Sequence, residues 1–387
     1  MNCLIHNARV YNTLTRSFYE GSVLVMNGKI AVLSRGDHAD APEGVEVYDA
    51  EGSMLIPGLV DVHTHGRVGG DFSTADDMML AHMAESYADS GVTTVMPTLA
   101  SAPVEELEAA IDRINNLRKK FASSKGGKAR IAGVHLEGRY LNEKRRGAHA
   151  AELLASPNAD EMEALLSRVK GAVHLSAALE LDQSGELLDR ALEMGATVGL
   201  AHTDADYEVA TALIRRGATS MTHLFNAMPP LHHRGGGAVA AGLLSESVLC
   251  ELICDGYHIA PHMVKLVYRL VGDRLVLITD SMEATGCADG EFCIAGNPVT
   301  VTDGKARTHD GAIAGSTLSL WDAVCNLCDF ADAPFEDAVY AATMAPAKEI
   351  GLDSEIGSIE VGKRADLLLV DDSRRICRVM CGGYWHK

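Results

Sequence analysis

Between residues 58 and 280 the chain repeats one unit eight times: an apolar run, a polar loop and, in most intervals, a helical stretch. The runs are GLVDVHTH (58 to 65), VTTVMPT (92 to 98), RIAGVHLE (130 to 137), AVHLSAAL (172 to 179), ATVGLAH (196 to 202), ATSMTHL (218 to 224), VLCELICD (248 to 255) and RLVLITD (274 to 280). Intervals such as ADDMMLAHMAESYADSG, PVEELEAAIDRINNLRKKF and DYEVATALIRRG carry apolar residues three and four apart, the period of a helix with one buried face. Strands alternating with helices demand a parallel sheet covered by helices, either doubly wound and open or closed as a (β/α)8 TIM barrel. Eight repeats favour the barrel, and it is expected over residues 57–355.

A barrel needs roughly 250 residues, so a chain of 387 has room for a second unit. The start alternates β-type runs (CLIHNARVY, GSVLVMNGKIAVLS, VEVYDA) with Gly and Asn-Gly turns, which predicts a small antiparallel unit. GSIEVGKRADLLLVDDSRRICRVMCGG near the end has the same character. The economical arrangement is one small β-sandwich domain assembled from residues 1–56 and 356–387 around the inserted barrel.

TIM-barrel chemistry sits at the C-terminal ends of the strands. There the sequence places His63 and His65, Glu137, His202, His223 and Asp280, all metal-ligand types. Residues two apart on a strand share a face, so His63 and His65 point together into the barrel mouth. A lone histidine at a strand end is more often structural than a ligand. Six suitable residues at strand ends exceed what 16 histidines would scatter there, and they predict a bound divalent metal, zinc, iron or a similar ion by donor type. His135 and His174, within or near the start of their strands, are read as structural.

The net charge of −19 repels phosphate backbones and anionic lipid, so neither nucleic acid nor membrane is an expected partner, and an anionic substrate would need a local cationic pocket. The opening MNCLIHNARVYN lacks a basic segment followed by an apolar one, which predicts a cytoplasmic protein. Nine scattered cysteines fit reduced thiols, and the Cys325/Cys328 pair in SLWDAVCNLCDF reads as part of an apolar helix.

PGLVDVHTHG followed by these ligands resembles the amidohydrolase superfamily, whose members cleave C–N bonds with metal-activated hydroxide. Within it, HLEGRYLN (135 to 142), GAH (147 to 149), GLAHTDA (199 to 205), THLFNAM (222 to 228), DGYH (255 to 258), TDSMEATG (279 to 286) and AGSTL (314 to 318) resemble the N-acetylglucosamine-6-phosphate deacetylases. The resemblance implies that Glu137, His202 and His223 hold one ion, and that His63 and His65, with Glu137 bridging, hold a second. It makes Asp280 the general base and His149 the donor to the tetrahedral oxyanion. Asn226, the backbone of Ala227, His258 and Arg234 are implied phosphate donors, with Arg234 reaching across a homodimer interface. Ala148, Asp255, Thr317 and Leu318 belong to the implied sugar site. The implied reaction releases acetate from N-acetylglucosamine 6-phosphate in amino-sugar catabolism.

Family members commonly carry HLEGP, whereas Arg139 follows HLEG here. A cation could thereby stand near the sugar, although a solvated loop is the plainer reading. Two rivals remain at this level. Another metal-dependent amidohydrolase, acting on N-acyl amino acids or cyclic amides, would share the metals and have no use for phosphate donors. A noncatalytic scaffold on the same fold would usually have lost ligands that this chain retains.

Overall fold

The structure, a computed structural model, describes residues 2–122 and 126–386. All eight expected runs form barrel strands in the expected order: Leu59–Thr64, Val92–Leu99, Gly133–Glu137, Ala172–Ala177, Thr197–Leu200, Ser220–Met221, Leu249–Ile253 and Leu275–Ile278. They are called strands one to eight below. Each pairs in parallel with the next. The Asp280 N–H donates to the His63 carbonyl at 2.9 Å and the His65 N–H to the Ser281 carbonyl at 2.8 Å, drawing strand eight back to strand one. The observed strands are shorter than the apolar runs, since several runs continue into the turns that carry the ligands.

The intervening helices begin where short polar side chains can satisfy their first backbone donors. Asp76 caps Asp77–Asp89 by accepting from the Met79 N–H, and Asp206 caps Tyr207–Arg216 by accepting from the Val209 N–H, both at 2.8 Å. The segment with Cys325 and Cys328 is the helix Leu320–Ala331, and the nine cysteines are all unpaired. Among the described residues no helix is long and apolar enough to cross a membrane.

The chain ends build one mixed sheet, in the order Tyr384–His386, Ile376–Cys381, Leu367–Val370, Met54–Pro57, Cys3–Asn12, Ser17–Met26 and Lys29–Arg35. Asn27 and Gly28 both have positive φ (53° and 78°), the backbone that a two-residue hairpin with right-twisted strands requires. The unit is not wholly antiparallel as expected: Glu46–Asp49 and Met54–Pro57 run parallel to the first strand. Connections long enough to cross over allow that, and the short-turn pattern of the sequence does not reveal it.

Alternation along Leu367–Val370 shows how the two units share one strand. Leu367 and Leu369 enter the small domain's own core with Ile5, Val23, Leu55 and Met380, whereas Leu368 and Val370 pack into the barrel core. Both faces are buried, and each such side chain contributes roughly 1.5–3 kcal/mol. A further three-stranded antiparallel sheet, Gly290–Ile294, Asn297–Thr302 and Lys305–Thr308, was not anticipated. It follows strand eight, encloses a small core with Met282, Val299 and Val301, and sends Ile294 and the stretch Ala312–Gly315 over the barrel mouth.

Candidate metal centre and substrate cavity

Strand one turns alternate residues inward, so Asp61, His63 and His65 form a buried row inside the barrel. Glu137 ends strand three, and His202, His223 and Asp280 each lie two residues beyond the last residue of strands five, six and eight. These three share an unusual backbone, with φ of 46°, 33° and 48°. Left-handed conformation in a non-glycine residue costs about 1–3 kcal/mol and persists only where the surroundings enforce it. Here it bends the chain so that each side chain returns to the barrel axis.

All six expected ligands meet around Glu137. Its carboxylate lies 2.9 Å from His65 Nε2, 3.0 Å from His223 Nε2, 3.2 Å from His202 Nε2 and 3.5 Å from His63 Nε2. Asp280 Oδ1 lies 3.3 Å from His65 Nε2 and 3.5 Å from His63 Nε2. By donor distance the residues fall into two potential ion sites, His63/His65/Asp280 and Glu137/His149/His202. His223 Nε2 stands 3.1 Å from His202 Nε2, beside the second group.

Hydrogen bonds at the far side of two rings fix what those rings present to the mouth. His63 Nδ1–H donates to Glu251 Oε2 at 2.9 Å, and His202 Nδ1–H donates to the Arg145 carbonyl at 2.8 Å. Each leaves Nε2 facing the cluster with a lone pair, the usual tautomer of a ligating histidine. Burial holds the His202 ring down to about 4, so it is neutral at pH 7. A bare nitrogen 3.2 Å from a carboxylate oxygen is repulsive until something positive lies between them. His63 Nε2 is likewise buried without a hydrogen-bond partner. The donor set and these orphaned atoms fit divalent ions.

His149 lies nearly buried in the same wall, with Nε2 3.7 Å from Glu137 Oε2. The Ser101 N–H donates to its Nδ1 at 3.4 Å, which puts the ring proton on Nε2 and makes that atom a donor toward the cavity. The cavity, of about 280 Å³, is lined by His65, Glu137, Ala148, His149, His202 and His223 on the metal side. Asn226, Ala227, His258 and Asp280 line it too, beneath Ile294 and Ile313. Asp255 stands behind His258, accepting from its Nδ1–H at 2.6 Å, so the ring's Nε2 is left for a ligand.

Three expected residues are not brought to this cavity within the chain. Arg234 is exposed on the 231–236 loop, where its guanidinium donates to His233 Nε2 at 2.8 Å. Thr317 donates to the Gly304 carbonyl, and Leu318 is buried in the barrel core. The AGSTL segment therefore reaches the cavity through Gly315 instead. Arg139 faces away from it as well. Its guanidinium pairs with Glu161 at 3.2 Å and donates to the Ala102 carbonyl, and the residue is half-buried rather than solvated.

Arg139 has φ of 20°, which a proline ring locked near −65° cannot adopt. Arg139→Pro, which would restore the commoner motif, is therefore expected to destabilise this chain by about 3 kcal/mol or more. A melting temperature equal to wild type would show that the loop relaxes to the proline-compatible path at no cost.

Sequence reasoning passed over the groups beneath the ligands. His135 donates or accepts at both nitrogens, with Thr98 Oγ1 at 3.1 Å and Ser176 Oγ at 2.8 Å, and burial keeps the ring neutral. Glu251 sits mid-strand in VLCELICD, and Oε2 takes both the His63 ring proton and the His223 N–H, at 2.9 and 3.1 Å. An acid inside an otherwise apolar run was the visible clue to it.

An amidohydrolase family model matches residues 54–385. The chain is 36% identical over 349 residues to an N-acetylglucosamine-6-phosphate deacetylase of Vibrio furnissii, covering 89% of this chain and 85% of that one. It is 32% identical to an N-acetylgalactosamine-6-phosphate deacetylase of Escherichia coli O157:H7, over 88% of this chain and 90% of the relative. Among solved structures it superposes with a TM-score of 0.89 on an N-acetyl-D-glucosamine-6-phosphate deacetylase variant from Mycobacterium smegmatis in complex with N-acetyl-D-glucosamine-6-phosphate. That pair is 30% identical, with 100% of this chain and 99% of the other covered.

Proposed function

This chain belongs to the amidohydrolase family, among its N-acetylglucosamine-6-phosphate deacetylases, and on that premise we propose that it hydrolyses N-acetylglucosamine 6-phosphate to glucosamine 6-phosphate and acetate. The observation that carries the reading is the convergence of Glu137, His65, His202, His223 and Asp280 on a cavity that also holds Asn226 and His258. Glu137, His202 and His223 would hold one divalent ion, zinc or iron, and His63 and His65 with Glu137 a second. Such ions supply Lewis acidity that lowers the pKa of coordinated water from 15.7 to about 7.

The chain's own groups then have separate tasks. Asp280 is the proton carrier: it holds the proton surrendered by water and returns it to the amine nitrogen as the C–N bond breaks. Burial alone would raise its carboxyl, but His63 and His65 outweigh that and hold it at about 2, so it is ionised throughout the neutral range. His149 Nε2–H donates to the acetyl oxygen as negative charge develops there. Asn226, the Ala227 backbone and the Asp255-anchored His258 bind the sugar phosphate at the other end of the cavity, next to Ala148.

Arg234 completes the phosphate site from a second copy in a homodimer. Leu231, 43% exposed on the Arg234 loop itself, is apolar surface that such an interface would cover. Thr317 and Leu318 support the segment over the sugar rather than touching it. Arg234→Ala is expected to lower kcat/KM for the phosphorylated sugar about tenfold to a hundredfold, the worth of a charge-assisted hydrogen bond, with little change for the free sugar. An unchanged preference removes Arg234 from the phosphate site.

The reading is tested by amine release from N-acetylglucosamine 6-phosphate, its unphosphorylated form and N-acetylgalactosamine 6-phosphate, with protein of known metal content and a chelated control. Chelator-sensitive turnover that favours the first substrate supports it. Preference for the galacto epimer moves the substrate to that sugar, and metal-loaded protein inert on all three overturns the substrate assignment.

A further inference from the structure

Below the mouth, the interior of the barrel holds a second group of ionisable side chains. His174 on strand four, Glu251 on strand seven and Glu349, the last residue of the helix Met344–Glu349, are all fully buried, and their donor atoms lie within 4.8 Å of one another. His174 Nε2 and Glu251 Oε1 are 3.8 Å apart. None of the six mouth ligands is among them.

Each side chain is held with one polar atom spent and another left over. Thr197 Oγ1 engages His174 Nδ1 at 2.8 Å, so Nε2 faces inward. His63 and the His223 backbone occupy Glu251 Oε2, which leaves Oε1. His174 Nε2, Glu251 Oε1, both Glu349 oxygens and the neighbouring Ser220 Oγ have no hydrogen-bond partner, although all are sealed from solvent. Space is kept open beside them by Gly199. A Cβ there would lie 3.0 Å from Ser220 Oγ and 3.3 Å from His174 Nε2, as well as 2.4 Å from Thr222 Oγ1.

Two carboxylates in a dry interior require positive charge near them. Among the described residues no lysine or arginine pairs with either. The candidates are a proton, shared between the two acids, or a cation. A shared proton, with Ser220 Oγ turned toward Glu349, satisfies the acids and the hydroxyl but still leaves His174 Nε2 without a partner in hydrogen-bond reach. A cation takes the imidazole lone pair and both carboxylates at once.

We propose that the barrel floor is a metal site of its own, in which His174 Nε2, Glu251 Oε1 and the Glu349 carboxylate hold a divalent first-row ion, with Ser220 Oγ alongside. One imidazole and two carboxylates suit zinc, iron(II) or manganese(II) rather than calcium or magnesium. Because Glu251 also binds His63, this ion stiffens the floor on which the mouth ligands stand.

Metal counting tests this without substrate, so it stands apart from the reaction assignment. Wild type and Glu349→Gln are produced in zinc-supplemented medium, freed of loose metal by gel filtration, and analysed for zinc per folded chain. The ion is acquired during folding, and as-isolated protein is the material to measure. The expected result is a loss of about one zinc equivalent in Glu349→Gln, with deacetylation turnover kept because the mouth ions remain. If Glu349→Gln does not fold, His174→Gln removes the nitrogen donor and is expected to show the same loss. Equal zinc in wild type and variant overturns the proposal, as does a loss shared with the mouth ions and accompanied by loss of turnover.

Discussion

Asp280→Asn is expected to keep most of its divalent metal and lose about 10²- to 10⁴-fold in turnover, the usual contribution of a positioned proton carrier. The amide preserves the shape of the side chain, and the backbone that places it is independent of charge: the Asp280 N–H bonds the His63 carbonyl, and the Ser316 N–H bonds the Asp280 carbonyl at 2.7 Å. What the amide lacks is an oxygen that can accept the proton from water and return it to nitrogen. Elemental analysis separates this from a trivial loss of metal. A variant with wild-type ion content and near wild-type turnover would strip Asp280 of its role.

Glu137→Gln is expected to lose both ions and to drop turnover by several kcal/mol of transition-state stabilisation, on the order of a thousandfold. Five imidazoles surround the Glu137 carboxylate, those of His63, His65, His149, His202 and His223, at 2.9 to 3.7 Å. Burial would raise this carboxyl, yet the imidazoles gathered around it, His63 foremost, hold it well below the usual range. An amide offers one acceptor where the carboxylate offers two, and no charge to offset the ions. The loss should appear in metal content first, with turnover falling in proportion. Retained metal would place the ions on the histidines alone and make Glu137 an orienting group.

The six ligands were legible because two periodicities coincide. Strand alternation tells which residues point inward, and the barrel architecture tells which end carries chemistry, so His63, His65, Glu137, His202, His223 and Asp280 emerge from apolar runs alone. The residues that orient them were not legible in the same way. Glu251 reaches His63 from a strand nearly two hundred residues away, and its partnership with Glu349 depends on a helix that follows the last strand. The left-handed backbone at His202, His223 and Asp280 is only faintly marked in residue type, since histidine and aspartate are enriched there yet occur far more often in ordinary conformations. Arg139, two residues after the ligand Glu137, could be read as a cation near the sugar or, more plainly, as part of a solvated loop. A turn at Gly138, with φ of 110°, sends it to Glu161 instead. The sheet of residues 290–308 was hidden by its position, as an insertion between strand eight and the helix that should follow it.

The pairing of Met54–Pro57 with Leu367–Val370 has a consequence for how the protein comes into being. The first fifty residues emerge from the ribosome with one edge of their sheet open and half their core missing. The strand that closes that edge is made some three hundred residues later, a delay of roughly 15–60 s at about 5–20 residues per second. Throughout that interval Leu55 and Ile5 lack the Leu367 and Leu369 side chains that seal them, so the nascent segment is a natural client for whatever shields exposed strand edges during translation. The native small domain can finish assembling only once Leu367–Val370 has been made.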